Sequence, residues 1–256
     1  MVLRQARSVI LNHDCDHQYG PIFCPLSIVL SRHDTDFDAA PGPLTGVLHQ
    51  IADDFDQILP VGFPGFKNWN IYPIKGSNYA KATATARGAT RGGKCEFWTF
   101  NTSFGPTVAQ VVQFNLGKIG LNCNITPFDR VVETDKAGVK GAQYDLLLNG
   151  WGQDYPDPYD FINILLSGTS IQPANNVNLS YFNSAVWNKR MTAASHLSGQ
   201  ARYNAYAKLD RDLMKGPAPV APYINTNARI FISKRVGCYV YSQVYGSDLS
   251  SICVNG

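Results

Sequence analysis

Residues 144–160 read Tyr-Asp-Leu-Leu-Leu-Asn-Gly-Trp-Gly-Gln-Asp-Tyr-Pro-Asp-Pro-Tyr-Asp. The run Tyr144-Asp145-Leu146-Leu147-Leu148 is nearly continuous in apolar character, which suits a parallel strand buried on both faces. Working upstream, Gly138 and Gly141 separate it from a helical stretch at about 128–137, and a strand at 121–126 precedes that. Before this strand, Pro106 fits a first helical turn, Val108, Val111, Val112 and Ile119 share one helical face, and Gly117 and Gly120 end the helix. Cys95–Phe100 alternates as a strand should, after a helix near 78–87 and the break Gly88–Gly93. The order β-α-β-α-β, with connections long enough for right-handed crossovers, predicts one parallel sheet. Open sheets of this kind bind ligands beyond the carboxyl ends of their strands, so Asn149–Asp160 stands where a site is expected.

Downstream, helices are expected near 159–167, 184–197 and 199–215. Pro217, Pro219 and Pro222 then force an extended path into strands at about 223–226, 229–233 and 237–244. Upstream, residues 57–76 combine prolines, glycines and aromatic rings and read as an ordered loop that packs its rings. Residues 1–12 have the apolar spacing of a short helix, whereas 13–56 are broken by Pro21, Pro25, Pro41 and Pro43 and read as irregular. Three segments follow: an N-terminal helix with an irregular stretch (1–56), an α/β ligand-binding lobe (57–216) and C-terminal strands (217–256).

The 256 residues are 45% hydrophobic and 16% charged, enough to bury a sizeable core. A net charge of +3 with both signs interspersed gives no electrostatic footprint for nucleic acid or an anionic membrane surface. No stretch approaches the roughly 20 apolar residues of a bilayer-spanning helix, and the N-terminus does not open as a signal peptide. The six cysteines include no C-x-x-C, which argues for disulfides and an oxidising compartment. Export without a signal is a conflict that a missing true N-terminus resolves. Cys95 and Cys123 fall on sequential strands of one βαβ unit, as neighbours or as two buried free thiols. Cys238 and Cys253 are placed to close a small loop.

Several motifs carry less than they promise. Gly88-Ala89-Thr90-Arg91-Gly92-Gly93-Lys94-Cys95 approaches a phosphate-binding loop, but Cys95 stands where a magnesium-binding hydroxyl belongs. A helix precedes it and a strand follows, the reverse of what such a loop needs. His13, Cys15 and His17 would share one side of an extended strand, yet without a recognised metal spacing, and an exposed loop is the simpler account. Asp154, Asp157 and Asp160 recur every three residues, but the interleaved Pro156 and Pro158 do not suit a calcium loop. No G-x-S-x-G or H-E-x-x-H is present. Neither a catalytic residue, a metal site nor a cofactor is therefore expected.

Asp154 beside Trp151 at a strand's carboxyl end reads as binding chemistry. A carboxylate in a partly dehydrated cleft is a strong partner for a ligand ammonium, and an indole close by excludes water or meets the cation with its π face. Equally compatible with the pattern is a core Trp151 and an Asp154 that caps the following helix.

The order of short blocks resembles a known family, the family 5 extracellular solute-binding proteins of oligopeptide, dipeptide and nickel ABC importers. Leu3-Arg4-Gln5-Ala6, Leu59-Pro60, Phe63-Pro64-Gly65, Tyr72-Pro73 and Tyr79-Ala80-Lys81-Ala82 are similar to its early motifs. Phe114–Leu121 and Tyr144-Asp145 followed by Gly150-Trp151-Gly152-Gln153-Asp154-Tyr155-Pro156-Asp157-Pro158 are similar to its later ones. The likeness covers residues 57–256 and 1–12. It implies an α/β, periplasmic-binding-protein-like (type II) lobe with a mainly parallel sheet, its first lobe largely missing and the terminal strands returning toward it.

The resemblance further implies that Asp154 pairs with a peptide's α-ammonium while Trp151 and Tyr155 line the same pocket. The arginine that some dipeptide binders use for the ligand carboxylate would fall at 99–104, where this sequence has none. The expected function is capture of peptides or a related small solute for ABC permease subunits, outside the cell or in the periplasm, without enzymatic activity. The rivals are a truncated or split interaction domain that has lost transport and, behind it, a peptide hydrolase using the aspartates.

Overall fold

The computed structural model describes residues 25–30, 57–69, 71, 78–86, 91–102, 104–225, 230–242 and 246–254. Its centre is a five-stranded sheet. Strand β1 is Pro25–Leu30, β2 Lys94–Phe100, β3 Asn122–Phe128, β4 Leu146–Gly150 and β5 Val220–Asn225, in the spatial order β3-β2-β4-β1-β5. β2 pairs in parallel with β3 from Lys94↔Asn122 to Phe100↔Phe128, and with β4 at Phe97↔Leu146 and Trp98↔Leu147. The parallel β-α-β-α-β core is thus present as the periodicity predicts.

One strand departs from that expectation. Residues 25–30 lie in the stretch expected to be irregular, yet they run antiparallel between β4 and β5, from Leu26↔Gly150 to Leu30↔Leu146 on one side and Pro25↔Asn225 to Val29↔Val220 on the other. Four of the five strands still point the same way. The C-terminal expectation also changes: residues 230–232 form no strand, and two short antiparallel pairs, Val236–Gly237 with Cys253–Val254 (β6, β9) and Tyr241–Ser242 with Gly246–Ser247 (β7, β8), replace long strands. The helix expected at 1–12, the His13–His17 cluster with Cys15, and Tyr72–Gly76 lie outside the described residues.

Six helices are described: α1 Tyr79–Ala86, α2 Gly105–Gly117, α3 Arg130–Ala137, α4 Tyr159–Leu166, α5 Ala185–Ser195 and α6 Gly199–Lys215. Because β4 is covered on both faces, its consecutive leucines divide between two cores. Leu146 and Leu148 pack with Ala82, Val108, Val112 and Leu116 of α1 and α2, whereas Leu147 packs with Phe161, Ile162, Met191, Tyr206 and Leu213 of α4, α5 and α6. The result is a sheet between two helical layers. α6 buries Tyr206, Leu209, Asp210, Leu213 and Met214, the spacing of one helical face.

The proline-rich loop is ordered by α6. The buried Asp210 carboxylate accepts the N–H groups of Ile58 (2.8 Å) and Leu59 (3.3 Å) and the Gln57 side-chain amide (3.3 Å). Gln57 accepts the Trp69 N–H at 3.0 Å, and the Trp69 indole donates to Ala207 O at 3.0 Å. Phe63 meets Phe161 edge-on, with centroids 4.9 Å apart.

Of the glycines that imitate a phosphate loop, Gly93 serves a close approach instead. Gly93 has φ +82, and a Cβ there would sit 2.7 Å from the Gly120 carbonyl oxygen. The adjoining Cys95 is joined to Cys123, its register partner across β2 and β3, with Cα atoms 4.3 Å apart. Cys238 is joined to Cys253 with Cα atoms 5.3 Å apart. The chain-entropy account assigns a loop of this length about 3 kcal/mol.

Candidate functional site

β2 leads to β3 on one flank, whereas β4 leads away on the other. The carboxyl ends of these two neighbouring strands therefore meet at a topological switch point, where open sheets of this kind form their binding crevice. At the end of β2 the buried Phe100 meets Phe104 edge-on at 5.5 Å, and the Arg130 guanidinium at the start of α3 lies 5.0 Å from the Phe100 ring. β4 contributes the loop Trp151–Pro158, which Pro156 and Pro158 stiffen before α4 begins.

The three aspartates of this loop have separate fates. Asp157 is structural. Its carboxylate takes a fork from Arg202 of α6, Nε to Oδ2 at 2.8 Å and Nη2 to Oδ1 at 2.7 Å, and accepts the Tyr159 N–H at 2.9 Å. Arg202 also donates to Ser195 O at 2.7 Å, tying the loop to the end of α5. Burial pushes the Asp157 carboxyl up, but the Arg202 and Tyr159 donors outweigh it and hold the group below the usual carboxylate range.

Asp160, in the first turn of α4, is fully buried. Its Oδ2 accepts the Asp154 N–H at 2.9 Å, while its Oδ1 has no hydrogen-bond partner among the described residues. Burial is the main cause that moves its pKa from 3.8 to about 6, with the Asp154 charge adding to it. The backbone N–H of Asp154, the Trp151 side chain and the Tyr155 backbone pull the other way. The Trp151 indole thus favours the charged carboxylate without completing a hydrogen bond, and its Nε1 is likewise buried without a partner.

Asp154 itself is exposed, and among the described residues its carboxylate has no cationic partner. Tyr155, 39% exposed, has its phenol raised by burial first and then by the surrounding carboxylates. The structure therefore gathers Trp151, Asp154 and Tyr155 in one loop, with Trp151 half-buried. Pro158 stands at the N-cap of α4, and the Tyr159 N–H is accepted by Asp157 rather than by Asp154. Sequence reasoning did not single out Asp160 as the buried member of the repeat; its signal is the adjoining Phe161-Ile162, which draws the first turn of α4 into the core. Glu133 of α3 was also missed. It is buried, its Oε1 has no partner among the described residues, and burial raises it from 4.5 to about 8 against the lowering effect of Arg130. Among the described residues no group of three or more His, Cys, Asp or Glu side chains is placed to hold a metal ion.

Residues 44–173 match the sequence profile of the bacterial extracellular solute-binding proteins, family 5, middle portion. The chain belongs to this family. A dipeptide-binding protein of Pseudomonas aeruginosa is 26% identical over 131 residues, 50% of this chain and 23% of that protein. Di/tripeptide-binding protein 3 of another Pseudomonas aeruginosa strain is 25% identical over 131 residues, again 23% of its length. Among solved structures, clavulanic acid biosynthesis oligopeptide binding protein 2 superposes with a TM-score of 0.79 at 18% identity, covering 93% of this chain and 47% of that one. The dipeptide binding protein from Pseudoalteromonas sp. SM9913, in complex with Met-Leu, gives 0.72 at 19% identity, covering 98% and 52%. These structures establish the periplasmic-binding-protein fold, and this family 5 chain spans about half their length.

Proposed function

We propose that this chain is a ligand-binding lobe of an extracellular or periplasmic solute-binding protein that captures peptides and delivers them to the permease subunits of an ABC importer. Binding is its whole task, with no chemical conversion of the ligand. The observation that carries this reading is Asp154, an exposed carboxylate at the carboxyl end of β4, in the crevice of the switch point and within the same loop as Trp151 and Tyr155. A carboxylate held there with no cationic partner among the described residues is suited to a ligand ammonium, and the indole supplies an apolar wall. The family and the peptide-binding names of the relatives support peptides as the class of ligand. Enclosure by closure against a second lobe is part of the proposal, because solved relatives are about twice as long. The apolar side chains left in the open near the C-terminus, Phe231 at 93% and Leu249 at 77% exposure, are consistent with such a partner.

Calorimetric titration with a di- to pentapeptide mixture tests the proposal. Saturable binding is expected, weakened about 10- to 100-fold by Asp154→Asn, the range for a charged hydrogen bond. The variant should melt with the wild type because Asp154 is exposed. Saturable binding that Asp154→Asn leaves intact would move the ammonium site elsewhere. A well-folded chain that binds no peptide would overturn peptide capture by this lobe.

A further inference from the structure

Asp160 is one of three aspartates repeated every third residue, and the structure gives it a distinct place. Its carboxylate lies behind the loop, fully buried, at the start of α4. One oxygen accepts the backbone N–H of Asp154 at 2.9 Å. Among the described residues the other oxygen has no hydrogen-bond partner, and neither has the buried indole Nε1 of Trp151, although that side chain already acts on the carboxylate favourably. A buried donor and a buried acceptor left open side by side are costly, and a small shift that joins them removes both penalties at once.

We propose that Asp160 is a positioning residue for this loop: one oxygen fixes the backbone of Asp154, and the other takes the Trp151 indole N–H when a ligand is loaded. The inference rests on the reading of Asp154 as the ammonium partner and adds what holds it in place. Fixing the Asp154 backbone limits where its carboxylate can reach. Joining the indole to the same group makes the charged and apolar walls of the pocket move together. In this structure the indole bond is unmade, so a ligand that favours its closure gains from it.

Two measurements decide the matter. The first needs no ligand: amide hydrogen exchange at Asp154, resolved by NMR, in the wild type, Asp160→Ala and Asp160→Asn. Protection of the Asp154 N–H should fall at least tenfold in Asp160→Ala and be partly kept in Asp160→Asn, whose amide oxygen still accepts. Unchanged protection in Asp160→Ala overturns the positioning role. The second is the ratio of affinities for trialanine and N-acetyl-trialanine, which a general loss of stability does not move. Asp160→Ala should lower that ratio at least fivefold.

Trp151→Phe and Asp160→Asn combined should lower the ratio no further than either alone, and additive losses would overturn the shared bond. A wild-type ratio near one would sink the reading of Asp154 while leaving the exchange result to judge Asp160. A high wild-type ratio that Asp160→Ala preserves would sink the proposal for Asp160 alone. If Asp160→Ala does not fold, Asp160→Asn and the double variant carry the same tests.

Discussion

Two loops of this protein are rich in proline and aromatic residues, and an aspartate holds each, but to different degrees. At residues 57–69, Asp210 accepts two backbone N–H groups and a side-chain amide, and Trp69 closes the loop onto α6. At residues 151–160, Asp160 accepts the Asp154 N–H and leaves an oxygen open beside an unpaired indole donor. Similar composition therefore yields a fastened loop in one place and a loop with bonds in reserve in the other. Satisfied buried polar groups fix a conformation, whereas unsatisfied ones leave a second arrangement within reach.

The largest effect should come from unfastening the first loop. Asp210→Ala leaves buried donors of Gln57, Ile58 and Leu59 without their acceptor, at about 1–3 kcal/mol for each group. For a chain of this size, each kcal/mol lowers Tm by about 2–4 °C, so a fall of roughly 10 °C is expected in a thermal melt followed by circular dichroism. Peptide discrimination by the folded fraction should not change. A variant that melts with the wild type would erase the contrast between the loops.

An intermediate effect should follow from the clamp behind the second loop. Arg202→Met removes both the fork on Asp157 and the bond to Ser195 O. This partly buried bidentate pair should be worth about 2 kcal/mol at neutral pH. Asp157 has its carboxyl held below 3.8, so its stabilising contribution is present above 3.8 and is lost as pH falls through the lower folded value. The Tm gap between Arg202→Met and wild type should thus stay constant from pH 7 to pH 5 and narrow only below 3.8. Because the clamp also supports the site loop, this variant should weaken peptide binding, unlike Asp210→Ala.

Much of the architecture was legible because it is local. The leucines of β4 announce a strand covered on both faces, and the glycines around α2 mark its end. β1 was not, since Pro25–Leu30 is a six-residue apolar run whose partners lie more than 100 residues away, at 146–150 and 220–225. Nothing in its own sequence says that a gap awaits it in the sheet. The same holds at the site. Trp151, Asp154 and Tyr155 stand out by residue type, but the division of labour among three similar aspartates depends on Arg202, more than 40 residues downstream, and on how deeply α4 sits. Spacing alone offered calcium or acid–base chemistry for a set of which one member is an ion-pair anchor and another a buried acceptor.

The smallest effect, and the sharpest control, concerns Glu133. It shares with Asp160 a buried oxygen that lacks a partner, yet it lies on α3, outside both loops. Burial raises its pKa from 4.5 to about 8, so the folded state holds the proton more tightly than the unfolded chain does. The stability this confers is complete below 4.5 and is lost as pH rises toward 8. Glu133→Gln cannot titrate, and its amide approximates the neutral carboxyl in size. The variant should therefore fall below the wild type near pH 4.5, by the pH-independent cost of burying the amide N–H groups, and exceed it by about 1 kcal/mol at pH 8, where the wild type has lost its linked stability. Denaturant melts at the two pH values measure this directly. Its ratio of affinities for free and acetylated peptide should equal that of the wild type. If that ratio shifts, an open buried oxygen outside the loop also serves ligand recognition, and the reserve of unmade bonds belongs to the crevice as a whole rather than to Asp160.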